Sequence, residues 1–439
     1  MHDLAIVGAG PAGLAAAYYL RNEGLDVVVL EAGNEVGGRT LSVPVAGFAS
    51  NAGAMFVYRG TPAEELAVEL QVPTTPFVPT TFGIHVHGET IVDSDNEGLI
   101  ARLPVSGESR AQLRAFIASA MTEYAALTQG GRITDGASHI VEEKVSERLA
   151  GLNADVVDIV RHAVRGGGVA DPSELSAKYA LRYFASYLAH ESENRLYPLD
   201  GMQSIPLAMA GRLAEGTVRL GSRVGAVRRD GERFAVELAN GETVHAAEVL
   251  LAVPAPVVAE IAPDLPAWKR EAIAIAKTPG STELCVTADV TGLDDIADWA
   301  FIAVTGRSFD AVIAAVPGDD RRTEDGRRIA QFVCYGNSAG YRPDLVETDA
   351  GTDTWVEEFL AVAPRLRGRV LGAYLHTWEH CFSIITPERL AVLPRLQESI
   401  DGLHFAGDYT SDSAGTHGAY TEARRVADLV RASRATAVR

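Results

Sequence analysis

Residues 4–40 read LAIVGAGPAGLAAAYYLRNEGLDVVVLEAGNEVGGRT, and this stretch decides the fold. An apolar run, Leu4-Ala5-Ile6-Val7, enters the turn Gly8-Ala9-Gly10-Pro11-Ala12-Gly13. An alanine-rich helical stretch follows, then a second apolar run, Val27-Val28-Val29-Leu30, ending on Glu31-Ala32. Strand, glycine turn, helix, strand and acid in this order form the β-α-β dinucleotide fingerprint. Gly8 permits the tight turn, Gly10 lets the backbone approach a pyrophosphate, and Gly13 lets the helix pack closely on the sheet. Pro11 and Ala12 open the helix, whose unpaired N–H groups and positive dipole end hold phosphate. Glu31, with Ala32 beside it, can accept hydrogen bonds from ribose hydroxyls and repels a 2′-phosphate.

Composition sets the frame. The 439 residues suggest two or three domains, and 47% hydrophobic residues supply a large core. A formal charge of −19 argues against nucleic acid or an anionic membrane surface as partner. The three cysteines, Cys285, Cys334 and Cys381, are far apart and show no metal spacing, as expected in a reducing, cytoplasmic setting. The first strand starts almost at once, so no signal peptide is expected. The longest apolar candidate for a membrane span, residues 246–263, is interrupted by Pro254, Pro256, Glu248 and Glu260.

Three further motifs narrow the cofactor. Glu35-Val36-Gly37-Gly38-Arg39-Thr40 follows the fingerprint, then Asn51-Ala52-Gly53-Ala54-Met55-Phe56, and near the C-terminus Leu403-His404-Phe405-Ala406-Gly407-Asp408. Together they resemble the flavin-containing amine oxidase superfamily, which includes monoamine and polyamine oxidases, L-amino-acid oxidases, protoporphyrinogen oxidase and the carotenoid and squalene desaturases. The resemblance implies an α/β fold: a Rossmann-like FAD-binding domain of the GR2 type, interleaved with an α+β substrate domain. The expected division is residues 1–75, 204–285 and 375–439 for FAD and residues 76–203 and 286–374 for substrate.

Periodicity supports that layout. Residues 62–70 have helical apolar spacing behind Pro62, and residues 82–92 read as a hairpin. Residues 112–127 and 140–162 read as amphipathic helices, and residues 173–189 carry Tyr179, Tyr183, Phe184 and Tyr187. Residues 204–213 read as a helix and 218–227 as a strand near the adenine, with Val224 as a contact. Strands are expected at 233–237 and 243–246, joined by Asn240-Gly241, and at 249–253. Further strands are expected at 301–304, 311–316 and 329–335, a solvated tip at 319–322, a helix from Thr352 and a last helix at 418–432.

The resemblance also assigns roles. Gly38-Arg39-Thr40 brings an arginine to the pyrophosphate. Gly53, Ala54 and Met55 pass beside the isoalloxazine ring, with Met55 or Phe56 toward the substrate or in the core. Gly407 and Asp408 meet the ribityl chain. Gly415-Thr416-His417-Gly418-Ala419 opens the last helix, whose N–H groups and dipole favour the reduced, anionic flavin edge. Trp378 flanks flavin and substrate, and His380 is a candidate acid or base. The lysine of monoamine oxidase-like enzymes corresponds to Leu284, with Lys277 out of register. The position of their tyrosine before the last helix is Gly415, and Cys381 lies near their covalent flavin link, although its spacing from Trp378 differs.

These features imply non-covalent FAD and a small-molecule substrate, apolar or an amine. The function expected is hydride transfer from a substrate CH–NH or CH–CH bond to flavin N5, with oxygen or another acceptor reoxidising the flavin. The alternatives are a desaturase or protoporphyrinogen-oxidase-like enzyme, a redox-neutral FAD-dependent isomerase, and a non-catalytic flavin scaffold.

Overall fold

Two parallel strands and the helix between them stand where the fingerprint requires. They are His2–Val7 (β1), Pro11–Leu20 (α1) and Val27–Leu30 (β2), in register from Leu4 opposite Val27 to Val7 opposite Leu30. The structure is a computed structural model and describes the chain except residues 79–80, 130–131, 134–139, 189–194, 317–319, 338–340, 346–348, 414 and 438–439. α1 is rich in alanine because it is buried on nearly every side, from Ala12 to Tyr18. It packs against the C-terminal helix Thr416–Ala437 (α2), and small side chains let the two axes approach.

Among the described residues there are two seven-stranded sheets. The first contains β1 and β2 with Val218–Arg219 outside β2; on the other side come Thr243–Leu251, Arg233–Leu238 and Val224–Asp230. The strands expected at 243–246 and 249–253 are one strand, Thr243–Leu251, whose early residues pair with Arg233–Leu238 and whose late residues pair with Leu403–Phe405. The expected strand 218–227 is divided, since Gly221 takes φ 62° and turns the chain between Val218–Arg219 and Val224–Asp230.

The second sheet runs Val370–Trp378, Ser281–Asp289, Ile329–Tyr335, Ala311–Ala314, Trp299–Val304, Thr81–Val86, Glu89–Asp93. We call Ser281–Asp289 β3, Ile329–Tyr335 β4 and Val370–Trp378 β5. β3 lies between β4 and β5, antiparallel to both. The division expected at 285/286 falls within β3, and that at 374/375 within β5. Both belong to this sheet, because the ladder needs their full length. Alternation along β3 is the key to the site. Leu284, Val286 and Ala288 join a core cluster with Phe332, Trp355 and Phe359. On the opposite face the Cys285 thiol donates to Asn51 O and the Thr287 hydroxyl to Val45 O.

Helices Gly107–Leu127, Ala154–Gly168 and Ala177–Tyr183 cover the other side. The single helix expected at 140–162 is instead a short turn of helix, Val145–Arg148, and a separate helix from Ala154. Gly151 at φ 80° breaks the path, and Asn153 takes the N-cap position of the second helix. The helix expected over 173–189 is α-helical over Ala177–Tyr183 and π-helical over Phe184–Leu188; Ala189 and the side chain of Tyr187 lie outside the described residues, as does Asp319 of the expected tip. The helix expected from Thr352 begins at Asp349, and the last helix begins at Thr416 rather than 418.

Candidate active site

The glycine turn makes an open cradle. Gly10 is the N-cap of α1 and no side chain caps it, so the first amides of the helix face outward unshielded. A Cβ on Gly10 would meet no atom within 4 Å, whereas one on Gly13 would stand 1.9 Å from Gly8 O. Space at Gly10 and contact at Gly13 are what an incoming pyrophosphate and a closely packed helix demand. Glu31 Oε2 accepts from the Ala9 amide at 2.7 Å and Oε1 from the Gly33 amide at 2.8 Å, leaving lone pairs for ribose hydroxyls. Ala32 is exposed beside it. Gly221 and Ser222 are the residues tied to this segment, donating to Gly33 O and Glu31 O at 2.8 and 2.7 Å. Val224, expected as an adenine contact, opens the edge strand and is packed in a core cluster.

Gly38-Arg39-Thr40 forms a 3-10 turn against the cradle, and the Gly37 amide donates to Ala9 O at 2.9 Å. The Thr40 hydroxyl is spent on Gly37 O at 2.7 Å. Arg39 reaches across to Asp408 with two hydrogen bonds of 3.1 and 3.0 Å and to Cys381 O at 3.2 Å. Burial pushes the Asp408 carboxyl up, but the Arg39 guanidinium outweighs it and holds the group below the usual carboxylate range. Gly407, just before it, donates its amide to the Thr410 hydroxyl at 3.1 Å.

From this ion pair a cavity of about 180 Å³ runs to the substrate sheet. Pro11, Arg39, Thr40 and Asp408 line one end; Gly53, Ala54, Met55, Phe56 and Trp378 form a wall; Gly415, Thr416 and Ala419 bring the start of α2 to it. Tyr335, Phe382 and Cys381 complete the lining, with Cys381 beside Arg39. Trp378 is anchored through its indole N–H to Ala52 O at 2.8 Å. Gly53 is pressed between elements, because a Cβ there would stand 2.4 Å from Arg39 O.

Three expected residues lie elsewhere. His380 follows the end of β5 in an outward turn and does not line the cavity. His417 packs at a tilt on Tyr58, ring centroids 4.9 Å apart, and lines a separate space with Lys178 and Arg182. It is on the first turn of α2, but its side chain points away from the cavity end. Gly418 packs on the preceding loop, where a Cβ would meet Ser413 O at 2.0 Å.

Leu284, expected at the lysine position, does not line the cavity. Leu284 is fully buried in the second core, and the residue of β3 that faces the cavity is Glu283. Glu283 is paired across the sheet with Tyr335 on β4 and His376 on β5. Its Oε1 accepts from the Cys381 thiol at 3.8 Å, and its Oε2 is buried with no partner. Burial pushes its carboxyl up to about 8. The signal was present in Ser281-Thr282-Glu283-Leu284-Cys285, a lone acid within a buried strand, but parity alone could not say which face met the cofactor. Lys277 precedes β3 and makes a surface pair with Glu174 at 2.8 Å.

The cradle, the arginine turn and the cavity beyond Pro11 fit a flavin nucleotide: an open phosphate seat, a carboxylate with lone pairs to spare, and a space bounded by small residues and Trp378. Two sheets sharing such a cavity define a flavin-dependent oxidoreductase. The chain belongs to the flavin-containing amine oxidoreductase family, whose model matches residues 11–431. It is 24% identical to a probable flavin-containing monoamine oxidase A of Dictyostelium discoideum, over 86% of this chain and 80% of that protein. A segment covering 12% of the chain and 10% of the relative is 51% identical to protoporphyrinogen oxidase 2 of Arabidopsis thaliana. The fold is that of putrescine oxidase, solved bound to putrescine, with TM-score 0.73, 19% identity, and 98% and 99% of the two chains covered. Cyclohexylamine oxidase from Brevibacterium oxydans superposes with TM-score 0.72 at 18% identity, over 98% of each chain. No helix among the described residues is long and apolar enough to cross a membrane, and none of them form a cluster of metal ligands.

Proposed function

We propose that the chain binds FAD non-covalently and oxidises a small amine at the carbon bearing nitrogen. The observation that carries the reading is one buried carboxyl, Glu283, in the otherwise apolar end of a cavity walled by Trp378, Met55 and Phe56. Glu31 at the ribose position and the open seat at Gly10 support a dinucleotide flavin over a mononucleotide. The Cys381 thiol supports non-covalent binding, since burial raises it well above its usual range and leaves it protonated beside Glu283. Bound flavin supplies the two-electron acceptor for a substrate C–H bond.

The protein's own contribution is placement. Gly8 to Gly13, Glu31 and Arg39 with Asp408 hold the dinucleotide, and the dipole of α2 at Gly415 and Thr416 favours negative charge at the flavin edge. Trp378 and Met55 exclude water from the substrate end. The first sheet is read as the cofactor half and the second as the substrate half. The charge of −19 favours a small molecule over nucleic acid, and the three free cysteines, Cys285, Cys334 and Cys381, support a reducing cytoplasmic setting.

Purified protein is precipitated with acid and its flavin identified by chromatography; FAD released into the supernatant is expected. Cyclohexylamine, putrescine and an apolar polyene are then mixed anaerobically with the holoprotein. Bleaching by an amine is expected. Bleaching by the polyene alone overturns the amine reading in favour of C–C desaturation.

A further inference from the structure

The cavity holds three charged side chains among the described residues, and two of them satisfy each other. Arg39 and Asp408 form their bidentate pair, so neither offers a free charge to a substrate. Glu283 is the third. It is 1% exposed, and its Oε2 has no hydrogen-bond partner. Every element packed on it brings a neutral or engaged group. Cys381 donates a weak S–H bond, Tyr335 of β4 donates its hydroxyl to Gly53 O at 2.8 Å, and His376 of β5 packs edge-on to Trp378 and stays neutral because burial lowers it. Cys285, two residues along the same face, donates to Asn51 O. A buried carboxyl without a cation is costly, and charge complementarity names its natural partner: a cation that arrives with the substrate.

We propose that the Glu283 carboxyl seats the substrate's ammonium group and takes its proton before the C–H bond is oxidised, and that it excludes substrates with a carboxylate beside the amine. This rests on the amine reading above and gives that site its recognition group. The protons balance. The free protein carries Glu283 as the neutral acid at neutral pH. An entering ammonium displaces that proton to solvent and pairs with the carboxylate. One ammonium proton then passes to a carboxylate oxygen, leaving a neutral amine whose nitrogen lone pair can support loss of hydride from the adjacent carbon. An α-amino acid would bring its carboxylate within the same cavity as Glu283, and Arg39 is already held by Asp408. Like charges in a water-poor space repel strongly, so the amine is accepted and the amino acid rejected.

The test uses holoprotein and tetramethylammonium, which has the charge but no N–H and no lone pair, so it binds without being oxidised. Calorimetric titration at pH 6.5 in phosphate and in MES, which differ in heat of ionisation and carry no primary ammonium group, reads the protons released on binding. Wild type is expected to release about one proton per cation bound. Glu283→Gln is expected to release none and to bind at least about tenfold more weakly. Glu283→Met is the second variant should Glu283→Gln lose flavin, and the same result is expected. Phenylethylamine is expected to bleach the flavin at concentrations about a hundredfold below those needed for phenylalanine. Binding to wild type without proton release, unchanged binding by the Glu283 variants, or equal use of phenylalanine each overturns the proposal. If no amine bleaches the flavin yet proton-coupled cation binding is lost in Glu283→Gln, the cation seat stands and the amine-oxidation reading fails. If amines bleach wild type and Glu283→Gln with the same KM and pH profile, oxidation stands and the role of Glu283 falls.

Discussion

Arg39 and Asp408 stand 369 positions apart in the chain and are joined by two parallel hydrogen bonds of 3.1 and 3.0 Å at the junction of cradle and cavity. The pair ties the arginine turn after β2 to the loop before α2. The Asp408 carboxylate also accepts from the Ser383 amide at 2.9 Å, so a third segment meets there. Asp408→Ala leaves the partly buried Arg39 guanidinium without its partner and is expected to cost about 1–3 kcal/mol. Urea unfolding of the flavin-free protein measures this, and the flavin-to-protein ratio after gel filtration should fall with it. Arg39→Lys keeps the charge but loses the fork, and is expected to retain intermediate stability.

Gly10 and Gly13 separate cofactor affinity from folding. A methyl group at Gly10 meets open space in the protein itself, and one at Gly13 meets Gly8 O at 1.9 Å. Gly10→Ala is therefore expected to keep the melting temperature of the flavin-free protein while weakening FAD binding on the order of tenfold or more. Gly13→Ala is expected to lower the melting temperature of the flavin-free protein itself. Thermal melts with and without FAD, compared for the two variants, give the check.

Arg389 is fully buried and donates to five backbone carbonyls, those of Ser383, Ile384, Asp408, Tyr409 and Ser411. It stitches the loop after β5 to the loop carrying Asp408. Arg389→Met strands these acceptors and is expected to cost about 3 kcal/mol or more and to release flavin. Arg389→Lys is expected to restore only part of the loss, since three donors cannot serve five acceptors. Chemical denaturation and retained flavin report both.

His162 gives the fold an alkaline limit. Burial lowers its affinity for a proton, but the carboxylates of Asp158 and Asp310, at 3.5 and 2.6 Å, outweigh it and raise the imidazole from 6.5 to about 9. The folded chain holds this proton more tightly than the unfolded one. The contribution is complete below pH 6.5 and is lost as pH rises through about 9, amounting to about 3 kcal/mol at most. Denaturant midpoints at pH 6, 8 and 10 should fall more steeply in wild type than in His162→Gln.

Glu283 acts in the same sense over a lower range of pH. Its carboxyl ionises near 4.5 in the unfolded chain and at about 8 in the fold, so the folded state binds more protons between those values. Stability conferred by the neutral acid is present below pH 4.5 and falls as pH rises toward 8, by about 5 kcal/mol at most. Glu283→Gln removes that slope. Melting of the flavin-free variant relative to wild type should therefore be most favourable near pH 8 and lose its advantage near pH 4.5.

The cofactor half was legible because its signals are local. Gly8, Gly10, Gly13 and Glu31 lie within one β-α-β unit; Gly8 at φ 102° and Gly13 against Gly8 O meet backbone requirements of the fold, whereas Gly10 leaves open space. Trp378 and Asp408 were also placed correctly at the cavity, from short motifs. The two histidines were not. His417 sits on the first turn of α2, but a helix start fixes where the backbone amides point and not which way each side chain turns. His380 follows β5, and where a strand ends depends on its partner, here β3.

The sequence alone carried the dinucleotide fingerprint and the resemblance to the flavin family, since periodicity and glycine geometry are written within a few turns of chain. Tertiary structure decided the chemistry at the other end. Which face of β3 meets the cavity depends on its pairing with β4 and β5, more than forty residues away, and a shift of one position exchanges Leu284 for Glu283. Arg39 is held by Asp408, which leaves Glu283 as the cavity's carboxyl without a cationic partner.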